Sequence, residues 1–257
     1  MLILLPPSET KRDGGRDRTS AVFGSMSFGA LESVREGLVD DVVAFAADPG
    51  AMMRGLKLGP RLAAEVDRNA ALRTAPVMPA LDRYTGVLYD ALDAPSLDAE
   101  AREFARDSVA VHSALFGLVG AMDEIPAYRL SHDSRIPGAR LKARWRAVIA
   151  EALQAFDGLV VDLRSEGYVD LGPAPARDDS VFLRVVAEDG TGRRRALNHF
   201  NKRAKGLFTR ALLLDRPSLG GTADLLAWSA EHGFRLDADG RGERSSATKP
   251  AELELVA

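Results

Sequence analysis

The chain contains no cysteine among its 257 residues. That absence excludes disulfides, thiolate metal sites and thiol redox chemistry within it, and it is compatible with a reducing cytoplasm. Histidine is scarce, with four residues at positions 112, 132, 199 and 232. No two share a metal-ligating spacing on a helix, so neither a metal nor another cofactor is expected. A dominant charge is lacking too, since the formal net charge is −3. A nucleic-acid partner would have to be met by a local patch rather than by the sum of charges. No apolar run approaches the roughly eighteen residues of a membrane span. The first such run, Leu2 to Leu5, is too short for a secretory signal and lacks a basic start. A soluble cytoplasmic protein is the expectation. Internal repeats and a linker able to split the chain are also missing, so residues 1–257 are expected to form a single domain, with a polar tail at about 240–257.

What is present is material for a core, at 46% hydrophobic residues. Leu2 to Leu5, closed by Pro6 and Pro7, predicts a buried first strand, and the polar, glycine-containing residues 8 to 20 predict a loop. Apolar residues at 31, 34, 38, 42 and 45 have helical spacing. Further helices are predicted over 62–72, 98–107, 141–156 and 202–214, and strands over 75–81, 109–118 and 158–163. Residues 181–187 and 195–200 flank Glu188-Asp189-Gly190 as a hairpin would. Strands and helices interleave irregularly. The fold class expected is therefore α+β, with a mixed β-sheet flanked by helices.

Gly55 to Val66 reads Gly-Leu-Lys-Leu-Gly-Pro-Arg-Leu-Ala-Ala-Glu-Val, which resembles the hairpin and second helix of a helix-hairpin-helix. A glycine turn can approach a phosphate because it has no Cβ, and the helix that follows offers free N–H groups and the positive end of its dipole. Pro60 suits a first helical position. Arg54, Lys57 and Arg61 surround the turn, and Gly59 is the expected point of close approach. Typical versions place one apolar residue between the glycines, and here Leu56, Lys57 and Leu58 stand between Gly55 and Gly59. An ordinary helix start after a Gly-Pro turn accounts for the stretch equally well.

Residues 193 to 210 carry seven Lys or Arg and no acid. Helical phasing from Asn201 puts Lys202, Lys205 and Thr209 on one face and Ala204, Leu207, Phe208 and Ala211 on the other, which predicts a basic ridge of Lys202, Arg203, Lys205 and Arg210. A third acid-free cluster holds Arg135, Arg140, Lys142, Arg144 and Arg146. The alternative is that such runs are solvated surfaces balanced by acids elsewhere in the fold. No catalytic set can be assembled. His112, in an apolar run, suits a core position better than a base. Ser8-Glu9-Thr10-Lys11 follows a strand but lacks a phosphate-loop pattern. Asp162 and Ser165 follow another strand, where they could wall a pocket or simply cap a turn.

The motifs taken in order resemble the YaaA family of peroxide-stress-resistance proteins. The resemblance rests on Leu2-Ile3-Leu4-Leu5-Pro6-Pro7-Ser8-Glu9-Thr10, Tyr84-Thr85-Gly86, Leu115-Phe116-Gly117-Leu118, Tyr128-Arg129-Leu130 and Trp145 in a matching helix. It continues through Asp162-Leu163-Arg164-Ser165-Glu166-Gly167-Tyr168 and Lys202-Arg203-Ala204-Lys205-Gly206-Leu207-Phe208-Thr209-Arg210. The resemblance implies an α+β fold with a helix-hairpin-helix element, a basic cleft that binds DNA, and a cellular role in limiting peroxide damage linked to intracellular iron. The chain departs from the better-known members, since their Ser-Pro-Ala-Lys-Thr is Pro6-Pro7-Ser8-Glu9-Thr10 here, with Lys11 following, and Asp162 and Arg164 replace an Asn and an Ala.

The leading expectation is a non-enzymatic DNA-binding protein. Arg54, Lys57, Gly59 and Arg61 would contact phosphates through the hairpin, and Lys202, Arg203, Lys205 and Arg210 would line the facing wall. Tyr84, Phe116 or Tyr128 could stack on an unpaired base, although core packing suits Phe116 better. The alternative is an enzyme acting on a nucleotide or nucleic acid in a strand-end pocket of Ser8, Glu9, Thr10, Tyr84, Thr85, Arg129, Asp162 and Ser165, which a close apposition of Glu9 or Asp162 with Lys202 would favour. Iron sequestration by carboxylates alone is a third reading.

Overall fold

Leu2, Ile3, Leu4 and Leu5 are all buried, which an interior strand with both faces covered allows and an edge or one-sided strand does not. The protein is described from a computed structural model that covers residues 1–17, 23–138, 140–191, 193–196, 200–238 and 250–256. Its strands are β1 (Leu2–Leu5), β2 (Val77–Pro79), β3 (Val109–Ser113), β4 (Gly117–Gly120), β5 (Glu124–Pro126), β6 (Val160–Asp162), β7 (Ser180–Glu188), β8 (Arg194–Ala196), β9 (Arg235–Ala238) and β10 (Ala251–Val256). Its helices are α1 (Glu32–Phe45), α2 (Pro49–Gly55), α3 (Ala64–Ala70), α4 (Ala80–Arg83), α5 (Val87–Leu92), α6 (Ala99–Ser108), α7 (Leu141–Gln154), α8 (Glu166–Val169), α9 (Phe200–Asp215) and α10 (Thr222–Glu231).

The main sheet runs β4-β3-β1-β6-β7-β10-β9. Its centre is parallel: β1 pairs with β3 and β6, β6 with β7, and β7 with β10. Its margins are antiparallel, through β3–β4, β9–β10 and the hairpin β7–β8. β6 pairs with Ser180 to Phe182 and β8 with Val186 to Glu188, so the long β7 serves two neighbours in turn. β2 and β5 form a separate antiparallel pair. The sheet is mixed and flanked by helices, as the sequence predicts. Among the described residues no helix is long and apolar enough to cross a membrane.

Three segments differ from their expected form, the first being 75–81, where β2 ends at Pro79 and α4 begins at Ala80. Residues 109–118 are not one strand but the start of a hairpin: Gly117 takes φ +67, and a Cβ there would lie 2.9 Å from the Trp145 ring. Buried Arg35 of α1 clasps that hairpin, donating to the carbonyls of Phe116 at 2.8 Å and Leu118 at 2.5 Å. The segment expected as a polar tail contains β10, which lies inside the sheet between β7 and β9. The reason is a period of two: Leu253 and Leu255 are buried, while Glu252 reaches Arg184 of adjacent β7 and Glu254 reaches Arg194 of β8, on the far side of β7. The rest of that tail, residues 240–249 and 257, lies outside the described residues, as do 18–20 of the expected loop and 197–199 of the expected hairpin.

The topology singles out one place. From β1 the chain proceeds to β3 on one side and later to β6 on the other, so the loops leaving β1 and β6 part company at the carboxyl edge of the sheet. In open parallel sheets this is where a crevice forms and ligands bind. Leu5, Ser113 and Asp162 stand at that edge.

Candidate functional site at the carboxyl edge of the sheet

The loop after β1 meets the segment before α5. Thr85 Oγ1 donates to Thr10 Oγ1 at 3.0 Å, Ser8 Oγ lies 3.3 Å from the same atom, and the Thr85 N–H donates to the Thr10 carbonyl at 3.3 Å. Gly86, at φ +96, turns the chain beside them, and a Cβ there would sit 3.4 Å from Ser8 Oγ. Tyr89 of α5 closes the loop from below by donating its hydroxyl to the Pro6 carbonyl at 2.8 Å. Three hydroxyls from two distant parts of the sequence are therefore gathered beside the carboxyl end of β1.

One side of this cluster is tied to α3. Buried Asn69 donates from Nδ2 to the Arg129 carbonyl and accepts from the Arg129 N–H, both at 2.8 Å. The Arg129 guanidinium in turn pairs with the Glu9 carboxylate. The other side is tied to α9. Lys205 Nζ donates to the Leu163 carbonyl at 2.8 Å and to that of Arg164 at 3.4 Å, in the loop after β6. Gly206 lets α9 press onto α5, since a Cβ there would fall 2.2 Å from the Leu88 carbonyl oxygen. The helical hairpin α2–α3 and the basic helix α9 are thus fastened to two neighbouring strand-end loops, those that leave β1 and β6.

Lys11 lies within the loop. It is 8% exposed, its Nζ donates to the carbonyls of Ser8 at 2.9 Å and Glu9 at 3.3 Å, and it sits 4.0 Å from the centre of the Tyr128 ring. Burial first, and then the like charge of Arg129, brings its amine down to about 7. Below it runs a buried hydroxyl chain. Ser113 Oγ accepts from the N–H groups of Leu115 and Phe116 and lies 2.7 Å from the Tyr128 hydroxyl, which lies 2.8 Å from that of Tyr84.

The structure brings Ser8, Glu9, Thr10, Thr85 and Arg129 together and moves other candidates elsewhere. Asp162 is not a pocket wall. It is a strand residue, 1% exposed, and its carboxylate is taken up by Arg164, through Nε at 2.8 Å and Nη2 at 2.6 Å. A buried carboxylate needs such a partner. The same guanidinium reaches His112 Nδ1 at 2.8 Å, and burial followed by the Arg164 charge holds His112 well below the usual imidazole value. Ser165 is exposed and precedes α8 without capping it. Tyr84, Phe116 and Tyr128 are all buried and offer no stacking face.

The basic ridge is also rearranged. α9 buries Lys205, Phe208, Thr209 and Leu212, so Lys205 and Thr209 belong to the packed face rather than to the solvent face expected of them. Arg210 donates to the carbonyls of Leu92 and Asp93 at 2.8 and 3.0 Å, which fastens α9 to the end of α5. Lys202 and Arg203 remain exposed, with no acidic partner among the described residues. Arg194 pairs with Glu188, Asp237 and Glu254. In the third cluster Lys142 and Arg146 face Asp170, and Arg144 faces Asp41.

In the hairpin, Lys57 takes φ +56 and ends α2 while pairing with Asp133, whose carboxyl its hydrogen bond pulls down to about 2. Arg54 and Arg61 are exposed. Gly59 is not the tight position: its backbone is extended at φ −75 and ψ 165, and a Cβ would meet nothing within 4 Å. Gly55 is tight, because a Cβ there would fall 2.4 Å from the Arg135 carbonyl oxygen.

Asn69 escapes a reading by motif, and the motifs that contain Lys11 and Tyr128 do not mark them as buried partners. Asn69 carried a signal: it occupies a helical position in register with Val66 and Leu72, where an amide on an apolar face must find a polar partner.

A sheet parallel at its centre, antiparallel at its margins and flanked by helices defines an α+β protein, with Ser8, Thr10, Thr85 and Arg129 gathered where β1 ends. The chain belongs to the peroxide stress protein YaaA family, whose sequence pattern matches residues 1–239. It is 44% identical over 217 residues to a UPF0246 protein of Corynebacterium efficiens, covering 82% of this chain and 84% of that one. A UPF0246 protein of Streptomyces coelicolor is 40% identical over 247 residues, 93% of each chain.

Proposed function

We propose that this chain acts in cytoplasmic peroxide-stress defence by holding the backbone of DNA in the strand-end cleft, with little sequence preference, and so limits oxidative damage linked to intracellular iron. The observation that carries the reading is the anchorage of two cationic segments on the adjacent loops that leave β1 and β6. Asn69, Arg129 and Glu9 tie the α2–α3 hairpin to the β1 loop, and Lys205 ties α9 to the β6 loop. Arg54 and Arg61, with Lys57 and Gly59 between them, form the helix-hairpin-helix-like contact. Lys202 and Arg203 form the facing one. Lys205 and Arg210 hold that wall in place rather than touching phosphate. Contacts of this kind fix a backbone without reading bases. The enzyme alternative called for Glu9 or Asp162 against Lys202, whereas these acids pair with Arg129 and Arg164.

Titration against duplex, bubble and single-stranded DNA at two salt concentrations tests the reading. Each phosphate contact contributes roughly 0.9 to the slope of log K against log salt, so Arg54, Arg61, Lys202 and Arg203, with Lys57 already paired to Asp133, give a slope of about −3 to −4. An affinity that stays flat with salt overturns it.

A further inference from the structure

Holding a backbone leaves the most unusual group of the cleft unused. A phosphate is best met by an ammonium that stays charged, yet Lys11 is buried beside Arg129 and titrates at about 7, so much of it is neutral at physiological pH. A neutral amine has two N–H donors and one lone pair. Donation to the Ser8 and Glu9 carbonyls occupies both hydrogens and leaves the lone pair outside either bond. A desolvated amine next to a second cation is an activated nucleophile for carbonyl carbon. The surroundings narrow the substrate. The cationic walls favour a phosphate-bearing carrier, and of the hydroxyl cluster Ser8 can turn its proton to one of the carrier's oxygens, because Thr85 donates to Thr10 and Thr10 to the Thr85 carbonyl. The buried rings of Tyr84, Phe116 and Tyr128 give an unpaired base no stacking platform. A nucleotide without its base fits these constraints.

We propose that Lys11 forms a reversible imine with an aldehyde carried on the nucleic-acid backbone, the ring-opened sugar of an abasic nucleotide. The substrate rests on the backbone-holding reading above. The lone pair attacks the aldehyde carbon, forming the N–C bond as the C=O π pair moves to oxygen. One amine proton passes to that oxygen, giving a carbinolamine. The hydroxyl then leaves with the second amine proton as water, and the C=N bond forms. No oxidant or further reactant is consumed.

The test incubates the full chain with a duplex carrying one abasic site, or with free 2-deoxyribose 5-phosphate, in the presence of cyanoborohydride. Adducts are then mapped by peptide mass. The expected result is a reductant-dependent covalent product on Lys11 with both probes. Lys11→Gln should lose at least about tenfold in capture while it still melts cooperatively. Arg129→Gln should move half-maximal capture to higher pH, because a neighbouring cation no longer depresses the amine, and a purely structural lysine would show no such profile. The mapping in the unaltered protein decides the matter even where Lys11→Gln fails to fold. No adduct, or one only on other amines, overturns the proposal. A duplex whose abasic site has been reduced to the alcohol separates the two claims. Binding to it without capture of the aldehyde removes the imine and keeps the backbone reading. Capture of the free sugar phosphate on Lys11 without duplex binding supports the amine and removes the backbone reading.

Discussion

Gly55 and Gly59 bracket the same turn and carry opposite constraints. At Gly55 the added methyl would collide with a backbone carbonyl 2.4 Å away and the Phe45 ring at 3.0 Å, and a backbone atom cannot swing aside. Gly55→Ala is expected to cost about 1–3 kcal/mol, the range for overpacking. Gly59→Ala meets nothing and adopts an angle any residue accepts, so restriction of the unfolded chain should stabilise it by about 0.4–1 kcal/mol. Paired denaturant melts check this, and a larger loss at Gly59 than at Gly55 would show the turn is built differently. The sequence pointed at Gly59 because it precedes Pro60. What makes Gly55 obligatory is the approach of residue 135, and no local pattern records a contact across 80 positions.

At the scale of the element, α9 shows why helical phasing found the helix but mistook its face. Periodicity places Lys202 and Lys205 on one side and Phe208 on the other, on the rule that charge goes outward. The rule fails at Lys205 because two carbonyls of the β6 loop need a donor and a long side chain reaches them. Asp162 fails in the same way, since it ends a strand that the sequence places well but has its partner two residues on. Strand and helix identities were legible because burial imprints a period on consecutive residues. The partners of buried polar groups were not, because they depend on which loops the sheet brings together. The basic helix therefore divides into two roles. Lys202→Glu with Arg203→Glu should leave stability within about 0.5 kcal/mol of the unaltered protein and weaken DNA binding more than about tenfold. Lys205→Glu sets a carboxylate against two carbonyl oxygens and should cost more than about 3 kcal/mol. Melting curves beside DNA titrations separate the roles, and unchanged affinity in the double variant would reduce this face of α9 to ordinary surface.

Across the whole molecule the two buried lysines govern how stability responds to pH. Burial is the first cause of both depressed values, about 7 for Lys11 and about 8 for Lys205, against 10.5 in the unfolded chain. Between the folded and unfolded values the unfolded state binds more protons, so stability rises with pH across that window. The tyrosines reverse the sign above 10. Burial lifts Tyr84, Tyr89 and Tyr168 well above that value and Tyr128 to about 12, so the unfolded chain releases its phenolic protons first and stability falls as pH climbs. Toward acid, His112 is held well below 6.5, so the unfolded chain takes up its proton first and stability falls as pH drops below that value. The melting temperature should therefore climb from pH 7 to a maximum at about pH 9–10 and decline beyond it. A protein whose burial cost came only from packing would show no such climb. Lys11→Gln removes one of the two groups and should flatten the rise between pH 7 and 9 without moving the alkaline decline, which belongs to the tyrosines. A series of thermal melts from pH 6 to 11 reads both limbs. A flat profile between pH 7 and 9, or the same slope in Lys11→Gln, would mean that Lys11 keeps its charge in the folded state, and the amine would then be unsuited to the chemistry proposed for it.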